Sequence, residues 1–267
     1  MKESLVSELQ NSELLLILDY DGTLTEIVQN PMDAILTTKR KSLLEQLNAK
    51  SNVSILINSG RPIEELLQIT KNISIDLMGN HGLFFFNSST QKMILTIEDK
   101  NLDEWDKKMQ ECKFFIQKDV IPKYSKLWLQ ENKHGFVLHT RTMDKQDKEE
   151  FLVEINHLLS TTYKNLSYST GKEVIEIKPS KLIDKGKGIE WYIKTNFKPK
   201  SNSFKILVAG DDVTDEDMFK LINSYNNGVS IRIGSKSISK DTITCAKIII
   251  DSVEDFYQVL EKLIGLH

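Results

Sequence analysis

Residues Leu14 to Thr25, LLLILDYDGTLT, constrain this chain more than any other stretch. Five consecutive aliphatic residues run directly into Asp19, Tyr20, Asp21 and Gly22. A short, wholly apolar run that ends in a polar, glycine-containing turn reads as a strand buried on both faces, the central position of a parallel sheet. Ligands of such sheets bind just beyond the carboxyl ends of the strands. Asp19 and Asp21 are thereby placed where chemistry occurs, two residues apart on one edge of an extended turn. From there they can converge on one metal ion or one phosphorus atom. Asp and Gly are also ordinary turn residues, so the motif alone leaves a plain polar turn open.

The whole chain narrows the classes. At 267 residues it suits one large domain or two small ones. Thirty-five Lys and Arg against 38 Asp and Glu give a formal net charge of −3, no electrostatic basis for a nucleic-acid or anionic-membrane partner. No apolar run approaches the length of a membrane span. The start, MKESLVSELQNSE, lacks an apolar signal core, so a cytoplasmic location is expected. Cys112 and Cys245 belong to no CxxC or Cys/His cluster and read as ordinary reduced thiols.

Downstream the strand-to-helix grammar repeats. Thr37 to Lys50 carries Leu43, Leu44 and Leu47 at helical spacing. Val53–Asn58 is a second buried strand, ending in Ser59-Gly60-Arg61-Pro62 before a helical run from Ile63. Pro62 and Gly60 describe a strand-to-helix turn that offers backbone N–H groups and the Ser59 hydroxyl to an anion. A capping serine is the plain alternative. A third strand, Ile75 to Met78, leads to Gly79-Asn80-His81-Gly82, with His81 either a loop histidine or part of the same site. Leu83 to Ile97 reads as a hairpin.

A charged stretch at 98–101 marks a domain boundary. The following segment alternates helix, hairpin, helix, hairpin, which suggests a small open antiparallel sheet with helices on one face. Along its strands Val137, His139 and Arg141 share one face and Phe136, Leu138 and Thr140 the other. Glu176 and Lys178 likewise oppose Ile175 and Ile177. The polar face is either solvated or holds a ligand with hydroxyls and phosphate. The core grammar resumes at Pro179: Asp184-Lys185-Gly186 opens a helix, with the Lys185 cation unfavourably placed against the helix dipole. Strand Phe204–Ala209 then ends in Gly210-Asp211-Asp212-Val213-Thr214-Asp215-Glu216. Thr214 reads as a helix N-cap with Asp215 and Glu216 in the first turn. Two more strands, Val229 to Gly234 and Ala246 to Asp251, precede a closing amphipathic helix.

The fold expected is therefore α/β: a doubly wound, mainly parallel, Rossmann-like core sheet (1–100 and 179–267) with an inserted α/β cap (101–178). Asp19, Asp21 and Asp211 form an oxygen-only set suited to magnesium, and no zinc-type cluster is present.

Asp19-x-Asp21, Ser59, Lys185 and Gly210-Asp211-Asp212 stand in the order of the four motifs of the haloacid dehalogenase superfamily, which this chain resembles. Within that superfamily it most resembles the trehalose-6-phosphate phosphatases, nearly end to end. The likeness is carried by Asp-Tyr-Asp-Gly-Thr-Leu (19–24), Ser-Gly-Arg (59–61), Gly-Asn-His-Gly (79–82), Glu-Asn-Lys (131–133) and His-Thr-Arg (139–141). It continues through Val-Ile-Glu-Ile-Lys-Pro (174–179), Asp-Lys-Gly (184–186) and Gly-Asp-Asp-Val-Thr-Asp-Glu (210–216). An aromatic residue often stands between the His and Arg of that family, where this chain has Thr140.

The resemblance implies a magnesium-dependent phosphatase with Asp19 as nucleophile, Asp21 as general acid and base, and Ser59 and Lys185 binding phosphate. It implies magnesium held by Asp19, Asp21 (through its backbone carbonyl) and Asp211, supported by Asp212 and Asp215. Arg61, His81, Glu131, Lys133, His139, Arg141 and Glu176 are the implied substrate contacts. The expected partner is a small sugar phosphate and the expected state a monomer. Two alternatives stand beside this: another capped sugar-phosphate phosphatase (sucrose phosphate, a mannosyl- or glucosyl-phosphoglycerate, a hexose phosphate), or an inactive sugar-phosphate sensor. The sensor predicts loss of a motif residue, and all four motifs are intact.

Overall fold

The computed structural model describes residues 3–28, 30–71, 73–97, 99–132, 135–171, 173–179, 183–199, 204–234 and 244–265. They divide into two units, Met1–Thr96 with Asp184–His267, and Ile97–Ile183. Lys133 and the hairpin tip at His134 lie outside the described residues.

In chain order the first unit begins with α1 (Glu3–Gln10), β1 (Glu13–Leu18), α2 (Thr38–Asn48), β2 (Val53–Asn58), α3 (Ile63–Ile69), β3 (Asp76–Gly79), β4 (Phe84–Asn87) and β5 (Lys92–Leu95). The second unit holds α4 (Asp99–Phe115), β6 (Trp128–Asn132), β7 (Gly135–His139), α5 (Lys145–Thr161), β8 (Leu166–Gly171) and β9 (Val174–Pro179). The first unit then resumes with α6 (Lys185–Thr195), β10 (Phe204–Gly210), α7 (Glu216–Asn223), β11 (Gly228–Ile233), β12 (Ile248–Ile250) and α8 (Val253–Ile264).

Among the described residues the first unit forms one sheet in the order β12-β11-β10-β1-β2-β3-β4-β5. The strands from β12 to β3 pair in parallel, and β4 and β5 extend that edge antiparallel. The apolar run of β1 explains why the sheet is covered twice. Leu14, Leu16 and Leu18 pack with Leu43 and Leu44 of α2, Leu66 of α3 and Phe256 and Leu260 of α8. Leu15 and Ile17 point the other way, onto Ile189 and Tyr192 of α6 and Met218 and Phe219 of α7. Each such side chain, taken fully out of water, contributes about 1.5–3 kcal/mol. A polar residue at any of these positions would therefore disrupt one of the two layers. Thr37 caps α2 by accepting the Arg40 N–H at 3.3 Å.

The second unit has its own four-stranded antiparallel sheet, order β6-β7-β9-β8. Phe136, Leu138, Ile175 and Ile177 turn to one face and close a separate core with Cys112 and Ile116 from the α4 side and Phe151 and Ile155 of α5. This unit takes in 97–100 and 179–183, which the sequence reading gives to the core. The reason is that α4 already starts at Asp99 and β9 runs on to Pro179. No described helix is long and apolar enough to cross a membrane.

Candidate active site

From β1 the chain fills one side of the sheet with β2 and β3, and the other side with β10 and β11. The carboxyl ends of β1 and β10 thus lie where the winding reverses, the place at which such sheets bind ligands. The two ends are joined by an Asp19 N–H bond to the Ala209 carbonyl at 2.9 Å. Asp19 leaves the tip of β1 and Asp211 the tip of β10. Lys185, on the first turn of α6, reaches between them and donates from Nζ to Asp19 Oδ1 at 2.6 Å and to Asp215 Oδ1 at 2.6 Å. Carboxylate oxygens of Asp19, Asp211 and Asp215 all lie within 4.8 Å of one another. Residues separated by up to 196 sequence positions therefore share one cluster.

Three acids and one ammonium leave this buried cluster with excess negative charge. Burial pushes the Asp19 carboxyl up to about 7, with Lys185 pulling it down and Asp215 adding to the rise. Burial, then the charges of Asp19, Asp215 and Asp212, push Asp211 up to about 8. Burial alone would depress Lys185, but Asp19 and Asp215 outweigh it and hold the ammonium above its ordinary range. A divalent cation is the group such a set fits: all donors are hard oxygens, and its charge offsets the surplus. The backbone is shaped for that approach. Gly22 has φ +82°, and a Cβ there would collide with the Asp211 carboxylate.

Motif one's second acid points elsewhere. Asp21 is held by Arg61, Nε to Oδ2 at 2.6 Å and Nη2 to Oδ1 at 2.5 Å, so its side chain does not join the acid cluster. Ser59 is buried at the end of β2, and its Oγ accepts the Arg61 N–H at 3.2 Å. The start of α3 is less open to an anion than its sequence implies. Pro62 is its N-cap without a side-chain bond, and the Ile63 N–H donates to Asn80 Oδ1 at 3.0 Å. Asn80 and His81 adopt left-handed φ of 53° and 54°. Their strain is offset by bonds from Asn80 N–H to the Arg61 carbonyl (2.7 Å) and from His81 N–H to the Ser59 carbonyl (3.2 Å). The His81 ring lies against Gly60, where a Cβ would approach Cε1 to 2.6 Å. Ser59, Arg61 and His81 are thus one assembly.

The acidic loop differs from its sequence reading in which aspartate turns inward. Asp212 is exposed and accepts the Val213 N–H at 2.6 Å, capping a short 3-10 turn instead of joining the cluster. Asp215, read both as a first-turn helix residue behind a Thr214 cap and, with Asp212, as support for the metal shell, is fully buried. Its Oδ2 accepts the N–H groups of Asp211 (2.9 Å) and Asp212 (3.0 Å) while Oδ1 holds Lys185. The Asp-x-x-Asp spacing of 212–215 is that of a reciprocal capping box, the one sequence signal for this turn. Glu216, likewise read as a helix-start residue, is buried and accepts from Arg232 Nη1 at 2.7 Å.

In the second unit, the expected sugar contacts separate. Glu131 pairs in register with the buried Phe136, on the helix-covered face, and its carboxylate meets Lys113 of α4 at 3.3 Å. His139 faces the opposite way, with its ring against Trp128. Strand alternation causes this: Trp128 and Gln130 share the His139 face, so Glu131 cannot. Glu176 occupies the register position across from Val137, and Arg141 is exposed beyond the end of β7. Lys133 lies outside the described residues.

Comparison with known proteins connects this geometry to a family. The C-terminal domain of a trehalose-6-phosphate phosphatase from Candida albicans superimposes with TM-score 0.73 at 23% identity, covering 99% of this chain and 96% of that one. An Aspergillus fumigatus trehalose-6-phosphate phosphatase gives TM-score 0.70 at 21% identity over 100% and 98% of the two chains. These likenesses bear on the fold. In sequence the chain is 26% identical over 257 residues to a probable trehalose-phosphate phosphatase J of Arabidopsis thaliana, covering 91% of this chain. It is also 26% identical over 248 residues to the trehalose-phosphate phosphatase B of that plant. The chain spans 65% and 64% of the length of these two relatives. The trehalose-phosphatase family model matches residues 17–248, a span that opens at β1 and takes in Asp19, Ser59, Lys185, Asp211 and Asp215, so the chain belongs to the trehalose-phosphatase family.

Proposed function

We propose that this chain hydrolyses trehalose 6-phosphate to trehalose and inorganic phosphate, with magnesium as its cofactor. The observation that carries this reading is the Lys185 ammonium held at 2.6 Å between Asp19 and Asp215, with Asp211 alongside. Family membership and the phosphatase relatives support the choice of substrate.

Asp19 is the nucleophile. Its free carboxylate oxygen attacks phosphorus, the bond from phosphorus to the sugar oxygen breaks, and Asp21 gives that oxygen a proton. Asp21 then takes a proton from water, which attacks the aspartyl-phosphate, releasing phosphate and restoring Asp19. Lys185 keeps Asp19 ionised and, with the Ser59 hydroxyl and the Arg61 guanidinium, holds the phosphoryl oxygens. Asp19 and Asp211, with the Asp21 carbonyl, would hold the cation, and Asp215 lies within ligating reach. When bound, it supplies the charge neutralisation on which phosphoryl transfer depends. The inserted unit acts as the cap that selects the sugar, since the core residues handle only phosphate. The reaction is cytoplasmic and needs one chain.

Phosphate release should be measured across a panel of sugar phosphates that includes trehalose 6-phosphate, with and without magnesium. Selective release from trehalose 6-phosphate is expected, and Asp19→Asn should abolish it while leaving the fold intact. Preference for another ester in the panel would replace the substrate; no release from any ester would remove the enzyme.

A further inference from the structure

Asn58 is the last residue of β2 and fully buried, one position before Ser59. Alternation turns it to the same side of the sheet as Leu56, the side that Ile189 of α6 and Met218 and Phe219 of α7 cover with apolar side chains. An amide is a costly occupant there. Its Oδ1 has no hydrogen-bond partner among the described residues, and a buried unpaired acceptor lowers stability. Its Nδ2 donates to the Lys185 carbonyl at 3.2 Å, with a second, weaker contact to Met218 Sδ at 3.5 Å. The tip of β2 is thereby tied to the start of α6. That start needs an outside hold. A cation in the first turn opposes the helix dipole, and Lys185 is followed by Gly186 and Gly188, both poor helix formers. Neither glycine can give way to a better one: a Cβ on Gly186 would come to 2.7 Å from the Asp217 carbonyl oxygen, and one on Gly188 to 2.7 Å from Gly82 Cα.

We infer that Asn58 is a positioning residue for Lys185: it fixes the Lys185 main chain from β2 and so sets where the ammonium stands against Asp19. This rests on the proposed phosphatase reading, in which Lys185 keeps Asp19 ionised and holds the phosphoryl oxygens. Lys185 is then held at both ends, its carbonyl by Asn58 and its ammonium by Asp19 and Asp215. A shift of the main chain would carry the ammonium with it, and small displacements of a group at the reacting centre cost rate steeply. The stability given up at Asn58 Oδ1 is the counterpart of that placement, as is usual where activity and stability pull apart. An apolar residue would suit the packing of this face better and would leave the carbonyl without its outside donor.

The test compares Asn58→Leu and Asn58→Ala in the full chain with magnesium. Leu fills about the same space and removes the unpaired acceptor together with the donor, so its thermal midpoint should hold or rise. Ala leaves a cavity and should lower the midpoint. Both should cut kcat about tenfold, the size of one hydrogen bond, with KM within about twofold because Ser59 and Arg61 still hold the phosphate. Equal loss of kcat while the midpoints move apart assigns the effect to placement and not to stability. With lysine nitrogen isotope-labelled, the Lys185 ammonium resonance, identified by its loss in Lys185→Met, should shift in both variants. Native kcat in Asn58→Leu, or a kcat that follows the midpoint, overturns the inference and leaves the phosphatase reading standing. A KM rise at native kcat overturns it too, by moving the effect to Ser59. If the native chain releases phosphate from no ester, the phosphatase reading falls and the ammonium resonance decides alone: shifted, Asn58 positions Lys185; unmoved, it does not.

Discussion

Arg61 grips Asp21 at two points, Nε to Oδ2 at 2.6 Å and Nη2 to Oδ1 at 2.5 Å, while its guanidinium carbon lies 5.6 Å from the centre of the Tyr20 ring. A guanidinium fork recognises phosphoryl oxygens by the same geometry. In the proposed reaction, arriving substrate competes for Arg61 and frees the Asp21 carboxylate to deliver its proton.

Asp21→Asn is accordingly expected to lower kcat by about 10²–10⁴-fold, the usual scale of a general acid–base. Its thermal midpoint should fall only modestly, because the Asp21 side chain is 37% exposed and the Asn amide oxygen still offers the buried Arg61 an acceptor. Turnover near the native rate in this variant rules out the acid–base role.

Lys185→Met removes the cation from two almost fully buried acids, whose side chains are 6% and 0% exposed. Breaking a buried pair from one side costs about 3–5 kcal/mol, so thermal unfolding without metal should occur at clearly lower temperature. Magnesium should restore part of that loss but no turnover. An unchanged midpoint in chelator contradicts the assigned burial.

Chelation should stop phosphate release and magnesium should restore it; equal rates in chelator would sink the metal assignment. The pH dependence has a definite sign. Asp19 and Asp211 are raised from 3.8 to about 7 and about 8 in the folded chain. Their contribution to metal-free stability is therefore full below about 4 and lost as pH climbs through 7 and 8. Bound cation favours the ionised forms, so magnesium should raise the thermal midpoint more at pH 8 than at pH 6, with proton release visible by calorimetry at pH 7. A shift independent of pH refutes the charge argument.

Gly22→Ala places a methyl group against the Asp211 carboxylate at a left-handed φ of +82°. The backbone term alone is about 1 kcal/mol, and the collision must also displace a proposed metal ligand. Magnesium affinity should fall by at least about tenfold, a typical response to disturbing a ligand's surroundings. Native affinity in this variant would mean that the turn is not pressed against Asp211.

Much of this was legible in one dimension. The apolar run of β1 and its like in β2 and β10 specify strands buried on both faces, and their polar tips specify where a site must lie. Asp19, Ser59, Lys185 and Asp211 stood out because each stands at an element's end, and the resemblance in motif order gave them their expected roles. The fold class followed from the same alternation of buried strand and amphipathic helix.

The tertiary structure alone decided between neighbours. Asp215, not Asp212, joins the acids because a 3-10 turn precedes α7: Asp212 caps it from outside, while Asp215 folds back onto the N–H groups of Asp211 and Asp212. Gln130, not Glu131, shares the His139 face because pairing of β6 with β7 sets the register, and a one-residue slip would exchange the two. Composition and spacing act over a few residues and so choose the kind of element. Which side chain of an adjacent pair meets a given partner depends on packing and pairing across the whole chain, and no local pattern encodes that.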